Sequence, residues 1–233
     1  MRMRLTAAIL SVLLLAGCAS WQPASQGECD CKTALRVPDK AFRNWLLDNG
    51  YAERVRGKRL RATPKGCALK SLECYDKGIR SLQGIELFPQ LEQLTCSDNP
   101  IETLNLDALR HLERLYALNV PLQQLTMDSC HRLRHVQLSH TSLDTIDLAP
   151  FPDLDLLLCI FSPLRHLDLT PCSALQMLYI RGTQIRSIDL RPCPAFRELH
   201  AQDSPLGDVV ITAQQYQSAI KVSAADTIRI DVR

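Results

Sequence analysis

The chain has 233 residues, of which 27 are lysine or arginine and 25 are aspartate or glutamate. Residues 1–17 contain two arginines and no acids, so the rest of the chain is formally neutral, with 25 basic and 25 acidic side chains. This balance argues against nucleic acid as a partner, because nucleic-acid binding requires a basic surface.

Residues 1–17 predict a cleaved signal peptide. Arg2 and Arg4 precede an apolar run from Leu5 to Leu15, which is too short to span a bilayer. The run ends in Leu-Ala-Gly before Cys18, which resembles the lipobox of bacterial lipoproteins. That resemblance implies cleavage before Cys18 and acylation of its sulfur and amine. An ordinary secretory signal followed by a chance cysteine is the alternative.

The lipoprotein resemblance also bears on localisation. It implies a lipid-anchored protein of the bacterial cell envelope. Ala19 stands where inner-membrane lipoproteins of enterobacterial type carry aspartate, so the outer membrane is favoured. Residues 18–36, which lack hydrophobic periodicity, are then expected to form a tether between the acylated cysteine and the domain.

Residues 37–68 predict an N-terminal cap that covers the apolar end of the following repeats. Asp39 is placed to cap the start of a helix and Gly50 to end it. The apolar stripe of that helix consists of Phe42, Trp45 and Leu46. The stretch 53–65 is then strongly basic and predicts a solvated loop that could also contact lipid phosphates or acidic wall polymer. Its cations are Arg54, Arg56, Lys58, Arg59, Arg61 and Lys65.

Nine cysteines follow Cys18 in a compartment that permits disulfides. Three of them lie outside the repeats, and we predict a bridge from Cys67 to either Cys29 or Cys31. The other six occupy two recurring positions, where cysteine behaves as a small hydrophobe, although equivalents on adjacent strands would also lie within disulfide reach. The first position holds Cys74, Cys96 and Cys159, and the second holds Cys130, Cys172 and Cys193.

From Leu91 to Ile211 the sequence repeats every 21 residues. The units begin at Leu91, Leu112, Leu133, Leu154, Leu175 and Phe196. Each unit contains a stretch L-x-x-L-x-L, in which the last two leucines alternate with their neighbours and therefore point to the inner face of a strand. One such strand per coil, stacked in parallel, predicts a solenoid with a concave sheet.

These units resemble the 21-residue class of bacterial leucine-rich repeats, entered through an internalin-like segment from Ile79 to Leu91. The resemblance implies an α/β-type solenoid of seven repeats at residues 69–211, with a mostly irregular convex side, a helical N-terminal cap and a C-terminal cap at 212–233. The motif's aspartate is present at Asp147, Asp168 and Asp189. Polar side chains at the asparagine position of the motif are expected to form hydrogen bonds with the turning backbone of the next coil. Val120 has no polar side-chain atom, so the backbone groups of that turn must find other hydrogen-bond partners. This position is occupied by Asn99, Val120, Thr141, Ser162, Thr183 and Ser204.

The outward positions of the sheet become apolar in the fourth 21-residue unit. Polar residues normally occupy the solvated face of a sheet, so an apolar strand with aromatic and arginine neighbours is typical of a protein-binding surface. A cap, a loop or a second copy that covers this patch is the alternative. The candidate ligand-binding residues are Arg114, Tyr116, Leu118, His135, Leu156, Leu158, Ile160, Phe161, Met177, Tyr179 and Arg181.

The sequence offers no catalytic constellation. It has no Gly-rich phosphate loop, no H-E-x-x-H and no C-x-x-C pair. Three strand spacings, about 14 Å, would separate His135 from His200 on the concave face, which is too far to share a metal ion. Glu198 would meet His200 on one strand, but without a nucleophile. We therefore predict a protein that is not an enzyme and uses no metal or cofactor.

Together these features predict a membrane-anchored bacterial lipoprotein that binds a protein or peptide through its concave face, with self-association through the apolar patch as one form of that binding. The alternative is a structural envelope protein that contacts cell wall or lipid through the basic stretch of its cap.

Overall fold

The fold is a stack of coils, each contributing one short strand to a common parallel sheet. The computed structural model describes residues 31–224 and 228–233. The helices are α1 Lys40–Asp48, α2 Pro64–Cys67 and α3 Ala213–Gln217, with a short 3-10 helix at Ile85–Leu87. The strands are β1 Ala34–Arg36, β2 Ala52–Arg56, β3 Arg59–Ala62, β4 Ser71–Glu73, β5 Gln93–Thr95, β6 Thr103–Asn105, β7 Arg114–Tyr116, β8 Gln124–Thr126, β9 His135–Gln137, β10 Leu156–Leu158, β11 Met177–Tyr179, β12 Ser187–Asp189, β13 Glu198–His200, β14 Asp208–Ile211, β15 Lys221–Ser223 and β16 Arg229–Val232.

The main sheet confirms the predicted solenoid. Its eight strands pair in the order β4-β5-β7-β9-β10-β11-β13-β15, and all of these pairs are parallel. From β5 to β13, each residue of the sheet lies in register with the residue 21 positions further along the chain, as when Leu157 pairs with Leu178. The central residue of each of these sheet strands from β4 to β13 is fully buried, because period-2 alternation directs it into the core.

The return side of the coils is less regular, as predicted, but it carries two short parallel sheets. These are β6–β8 and β12–β14–β16. Residues 145–147 and 166–168, which occupy the equivalent place in the two coils between them, form no strand. The Arg165 N–H group lies 3.3 Å from the Asp144 carbonyl oxygen, whereas the corresponding Gln123–Glu102 bond is 2.8 Å long. The interruption therefore falls in the coils that contain β9 and β10.

The aspartate of the repeat motif has a local role on this return side. The backbone N–H two residues later donates to the carboxylate of Asp147 and of Asp168, in both cases at 2.9 Å, and to that of Asp189 at 3.0 Å. Asn105 accepts the equivalent bond from Asp107 at 3.0 Å. These Asx turns bend the chain away from the strand at the same point in successive coils.

Side chains at the asparagine position stabilise the turns, but their hydrogen bonds go to their own coil and to the preceding coil rather than to the next one. The Asn99 Nδ2 donates to the carbonyls of Cys74 and Cys96, at 2.8 and 3.0 Å, and its Oδ1 accepts from the N–H groups of Lys77 and Ile79. The predicted direction is wrong because the N–H groups that need an acceptor belong to the turn already completed. Val120 offers no acceptor, and the Ile101 N–H donates to the Asn99 carbonyl at 2.9 Å; Leu122 makes the same bond to Val120 at 2.7 Å in the next coil, so this bond is not specific to the coil with Val120.

The N-terminal cap contains the predicted helix, and its residues have the predicted roles. The Asp39 carboxylate accepts from the Phe42 N–H at 2.7 Å, and Gly50 lies just after the helix with φ 68°. Phe42 and Leu46 are fully buried and Trp45 is half-buried. The other Asp39 oxygen accepts from the Arg80 N–H at 3.0 Å, which joins the cap to the first coil.

Two predictions about the N-terminal region are wrong. The basic stretch is an antiparallel hairpin, β2–β3, rather than a loop, because Leu60 and Ala62 are buried and anchor one of its strands. Residues 34–36, assigned to the tether, form β1, which pairs with β3 and completes a three-stranded cap sheet of order β1-β3-β2.

The C-terminal cap adds a strand to each of two parallel sheets of the solenoid. Strand β15 pairs in parallel with β13, and β16 pairs in parallel with β14. Glu198 aligns with Lys221, two positions beyond the 21-residue spacing, so the extra residues around α3 conceal the repeat in the sequence. Helix α3 begins with a capping box between Thr212 and Gln215, whose buried amide also donates to the carbonyls of Leu190 and Cys193.

The cysteines divide as predicted between a bridge and the core. Cys67 is disulfide-bonded, and Cys31 is a free thiol, so Cys31 is not its partner. The six repeat cysteines are free and buried. Burial raises the pKa of the Cys96 and Cys159 thiols to about 12, which leaves them protonated and unreactive at neutral pH.

The predicted signal peptide, Cys18 and Cys29 lie outside the described residues. Within residues 31–224 and 228–233, no helix combines the length and the apolar character needed to cross a bilayer.

Candidate functional site

The concave sheet arranges its outward residues in columns across the strands. One column runs from Gln93 through Arg114, His135, Leu156 and Met177 to Glu198. The next runs from Thr95 through Tyr116, Gln137, Leu158 and Tyr179 to His200. The register predicted from the 21-residue spacing is confirmed for both columns.

The predicted apolar patch lies on β10 and β11. Leu156 and Leu158 of β10 and Ile160 just beyond it are each half-buried, although they point away from the core. Register places Met177 beside Leu156 and Tyr179 beside Leu158, which extends the apolar surface to a second strand. We call these five residues the concave patch. They form an apolar area on two neighbouring strands in the middle of the sheet.

Phe161 lies at the exit of β10 in an unusual backbone conformation. One residue per coil adopts positive φ at this point: Asp76, Asp98, Asn119, His140, Phe161, Gly182 and Asp203. Asp, Asn and Gly tolerate this left-handed region, whereas a bulky side chain there costs about 1–2 kcal/mol. Phe161 has φ 54° and is still 45% exposed. The fold thus holds an aromatic ring at the surface at a cost in backbone energy.

Three neighbours fix the position of the Phe161 ring. The His140 ring lies 5.2 Å away between centroids, and the Arg181 guanidinium carbon lies 5.3 Å from the ring centroid. A Cβ atom on Gly182 would lie 2.3 Å from Phe161 Cδ1, so only glycine leaves room for the ring there. Arg181 is in turn held by Asp203, at 2.8 Å. Phe161 and Arg181 therefore form one ordered aromatic and cationic unit beside Ile160.

A histidine–carboxylate pair borders the concave patch on each side. His135 Nε2 lies 3.0 Å from Asp155 Oδ1 on the β9 side. On the β13 side, His200 Nε2 lies 2.9 Å from Glu198 Oε1, and the His200 ring stacks on Tyr179 at 4.4 Å with an interplanar angle of 5°. The histidines thus hold separate carboxylates. No group of three or more His, Cys, Asp or Glu side chains within the described residues could hold a metal ion.

The structure does not bring all candidate residues together. Arg114, Tyr116 and Leu118 belong to β7 and its exit, and β9 separates them from the concave patch. Arg114 Nε is engaged with Gln93 Oε1 at 3.0 Å. These residues lie on the same face but outside the apolar area.

A groove of about 540 Å³ opens at the edge of the sheet where β11, β13 and β15 begin. It adjoins the concave patch through Met177 and is otherwise lined by Gln176, Phe196, Arg197, Glu198, Ser218, Ala219 and Lys221. The sequence does not predict this groove, because Lys221 joins the sheet only through the altered spacing of the C-terminal cap. Asp155 and Asp203 are also absent from the predicted site, because the 21-residue spacing pairs His135 with Leu156 and Arg181 with Gln202, and each aspartate is one position away from that partner.

No family model and no curated protein matches the sequence. Among solved structures, internalin C2 from Listeria monocytogenes is similar with a TM-score of 0.59 and 18% identity, over 84% of this chain and 94% of that one. TLR13, solved in a complex with ssRNA13, is similar with a TM-score of 0.53 and 18% identity, over 71% of this chain and 30% of that one. YopM from Yersinia pestis, described as a leucine-rich effector protein, is similar with a TM-score of 0.52 and 18% identity, over 62% of this chain and 40% of that one. With the parallel concave sheet and its 21-residue register, these likenesses show that the chain has the leucine-rich repeat fold.

Proposed function

We propose that this chain is a lipid-anchored protein of the bacterial envelope that binds a protein or peptide across the concave patch. The observation that carries the proposal is the apolar strand β10, whose outward side chains would be polar on an ordinary solvated sheet. Apolar side chains with an adjacent tyrosine and arginine match the composition of energetic centres in protein interfaces.

The surroundings of the patch favour a polypeptide as the ligand. The His135–Asp155 and His200–Glu198 pairs supply hydrogen-bonding groups on either side of an apolar centre, which is the usual arrangement of a protein interface. The adjoining groove of about 540 Å³ has room for a ligand side chain. RNA is named in the TLR13 complex, but a binding surface centred on leucine, isoleucine and methionine lacks the cations that a phosphate backbone requires.

Charge placed in the concave patch is expected to abolish binding without unfolding the protein. In the variant Leu158→Glu/Tyr179→Glu, both carboxylates would be desolvated in the interface, so we expect a loss of at least 100-fold in affinity, about 3 kcal/mol. A photo-crosslinking residue at Met177 in living cells identifies the partner, and the loss of its adduct in the variant measures the effect. An adduct of twice the chain's mass identifies a second copy as the ligand.

The matched control is Gln93→Glu/Thr95→Glu, which adds the same charge to half-buried outward positions on β5, outside the patch. It is expected to retain the adduct, and both variants are expected to keep the far-ultraviolet circular dichroism of the parent. The proposal fails if the two variants lose the adduct equally, or if Leu158→Glu/Tyr179→Glu retains it.

The anchor is tested separately. The apolar run before Leu15-Ala16-Gly17-Cys18 supports acylation of Cys18, and two or more acyl chains on one residue give stable membrane attachment. Cys18→Ala is expected to move the protein from the detergent phase to the aqueous phase in a Triton X-114 partition and to abolish palmitate labelling. Cys31→Ala, which removes a free thiol of the described domain, serves as the control. Labelling that persists in Cys18→Ala contradicts the proposal, and outer-membrane residence predicts recovery in the dense membrane fraction of a sucrose gradient.

A further inference from the structure

The cap sheet carries a row of arginines that spans all three of its strands. Arg36 on β1 aligns with Arg59 on β3, and Arg59 aligns with Arg56 on β2. All three side chains are exposed. Side chains one spacing apart on neighbouring strands are about 5 Å apart, and like charges at that distance repel each other when no counter-charge is present.

Two of the three acids in residues 31–67 are engaged elsewhere. Glu53 accepts a hydrogen bond from the guanidinium Nε of Arg61 at 2.9 Å. Asp39 caps α1 and accepts from Arg80. The rest of the hairpin adds further cations, because Arg54 and Lys58 are also exposed.

Charge is distributed unequally along the whole chain. Residues 31–67 carry ten lysines or arginines and three acids, whereas the other residues after position 17 carry fifteen and twenty-two. The neutral net charge of the mature protein therefore conceals a basic cap and an acidic repeat region. An electric dipole of this kind orients the molecule at a charged surface.

An apolar side chain accompanies the cations. Val55 occupies the irregularity between Arg54 and Arg56, where the pairing of β2 with β3 shifts by one residue, and it is 49% exposed. An exposed aliphatic group among arginines is typical of surfaces that lie at the boundary between lipid headgroups and acyl chains.

From these observations we propose that the outer face of the cap sheet docks onto an anionic phospholipid bilayer through Arg36, Arg56 and Arg59, with Val55 entering the headgroup region. Proximity rests on the proposed anchor: β1 is the first described element after Cys18, so the cap is the part of the domain nearest the acylated cysteine along the chain. Docking at this end leaves the concave patch free for its ligand. The contact itself depends on charge and does not require acylation.

The test uses the unacylated chain from Ala19 to Arg233, which contains every described element, and sedimentation with vesicles. We expect binding to vesicles of phosphatidylcholine and phosphatidylglycerol, and none to phosphatidylcholine alone. Each cation near an anionic surface contributes on the order of 1 kcal/mol, so Arg36→Glu/Arg56→Glu/Arg59→Glu should lower the partition coefficient by on the order of 100-fold. Raising the salt concentration should weaken parental binding, because exposed charges are screened.

The control Arg134→Glu/Arg165→Glu/Arg186→Glu changes the net charge equally at exposed arginines of the repeats. It is expected to bind anionic vesicles within about threefold of the parent, since its arginines lie outside the cap sheet. The proposal is overturned if both triple variants lose binding equally, if neutral vesicles bind equally well, or if the parent binds inorganic polyphosphate but no vesicles. Circular dichroism of both variants establishes that they fold, and these outcomes do not depend on whether the concave patch has a ligand.

Discussion

Replacing Asn99 by alanine is expected to lower the free energy of unfolding by about 4 kcal/mol, among the largest effects for a single residue of this chain. Asn99 is 1% exposed. Its amide donates to Cys74 and Cys96 at 2.8 and 3.0 Å, and its oxygen accepts from the N–H groups of Lys77 and Ile79 at 3.1 and 3.0 Å. Alanine removes the partner of all four backbone groups, and three of these bonds, to the Cys74 and Cys96 carbonyls and the Ile79 N–H, are buried, so each of these three groups costs about 1–3 kcal/mol when unpaired.

Urea unfolding followed by circular dichroism measures this loss. Thr183→Val is the matched control, because Thr183 is also fully buried at the same repeat position but donates a single side-chain bond, to Ile180 at 2.8 Å. We expect it to cost about 1 kcal/mol. Equal costs for the two variants would contradict the view that Asn99 holds two coils together while Thr183 satisfies only its own.

The contrast between these two positions explains how far the sequence predicts the fold. Burial can be predicted from neighbouring residues in the sequence. Leu94 and Leu157 are buried because they alternate with outward-facing residues, and the same alternation recurs every 21 residues. The hydrogen-bond partner of a polar side chain cannot be predicted in this way, because it can belong to another coil. Whether Asn99 bonds the coil before or after it depends on which turn has unpaired N–H groups, and that emerges only when the coils are stacked.

Elements outside the register are harder to predict for the same reason. Strand β15 belongs to the concave sheet, but the extra residues around α3 displace it from the repeat pattern. The strand β1 is short, and its pairing with β3 is antiparallel and non-repetitive. Arg36 therefore could not be assigned to the basic surface from the sequence, although its charge is visible there.

The candidate site is predictable in its apolar part and not in its strained part. The concave patch follows directly from leucine and isoleucine at outward positions. The sequence predicts Phe161 only as an apolar residue at the strand exit, because its positive φ becomes evident when Asp98, Asn119 and Gly182 are recognised as occupants of the same position. Position 182 requires glycine because the Phe161 ring occupies the space that a side chain would fill, and this proximity is evident only in the structure.

Gly182→Ala is expected to cost about 3 kcal/mol, from two separate causes. Alanine at φ 68° is strained by about 1–2 kcal/mol, and its Cβ would overlap Phe161 Cδ1 at 2.3 Å. The ring relieves this overlap only by leaving its contacts with His140 and Arg181. Gly78→Ala isolates the first cause, because Gly78 has φ 65° and no atom within 4 Å of the position of a Cβ.

A double-mutant cycle with Phe161→Asn separates the two causes within the site itself. Asparagine tolerates the left-handed conformation and lacks the ring, so in its presence Gly182→Ala should cost no more than Gly78→Ala, a coupling of about 1–2 kcal/mol in urea unfolding. Phe161→Asn alone should cost little or even stabilise, since it removes backbone strain and an exposed apolar ring together. A protein that gains stability while losing its crosslinked partner would show that the strain at Phe161 serves binding. A coupling near zero would instead mean that the ring is free to move and that Gly182 is required for its backbone conformation alone.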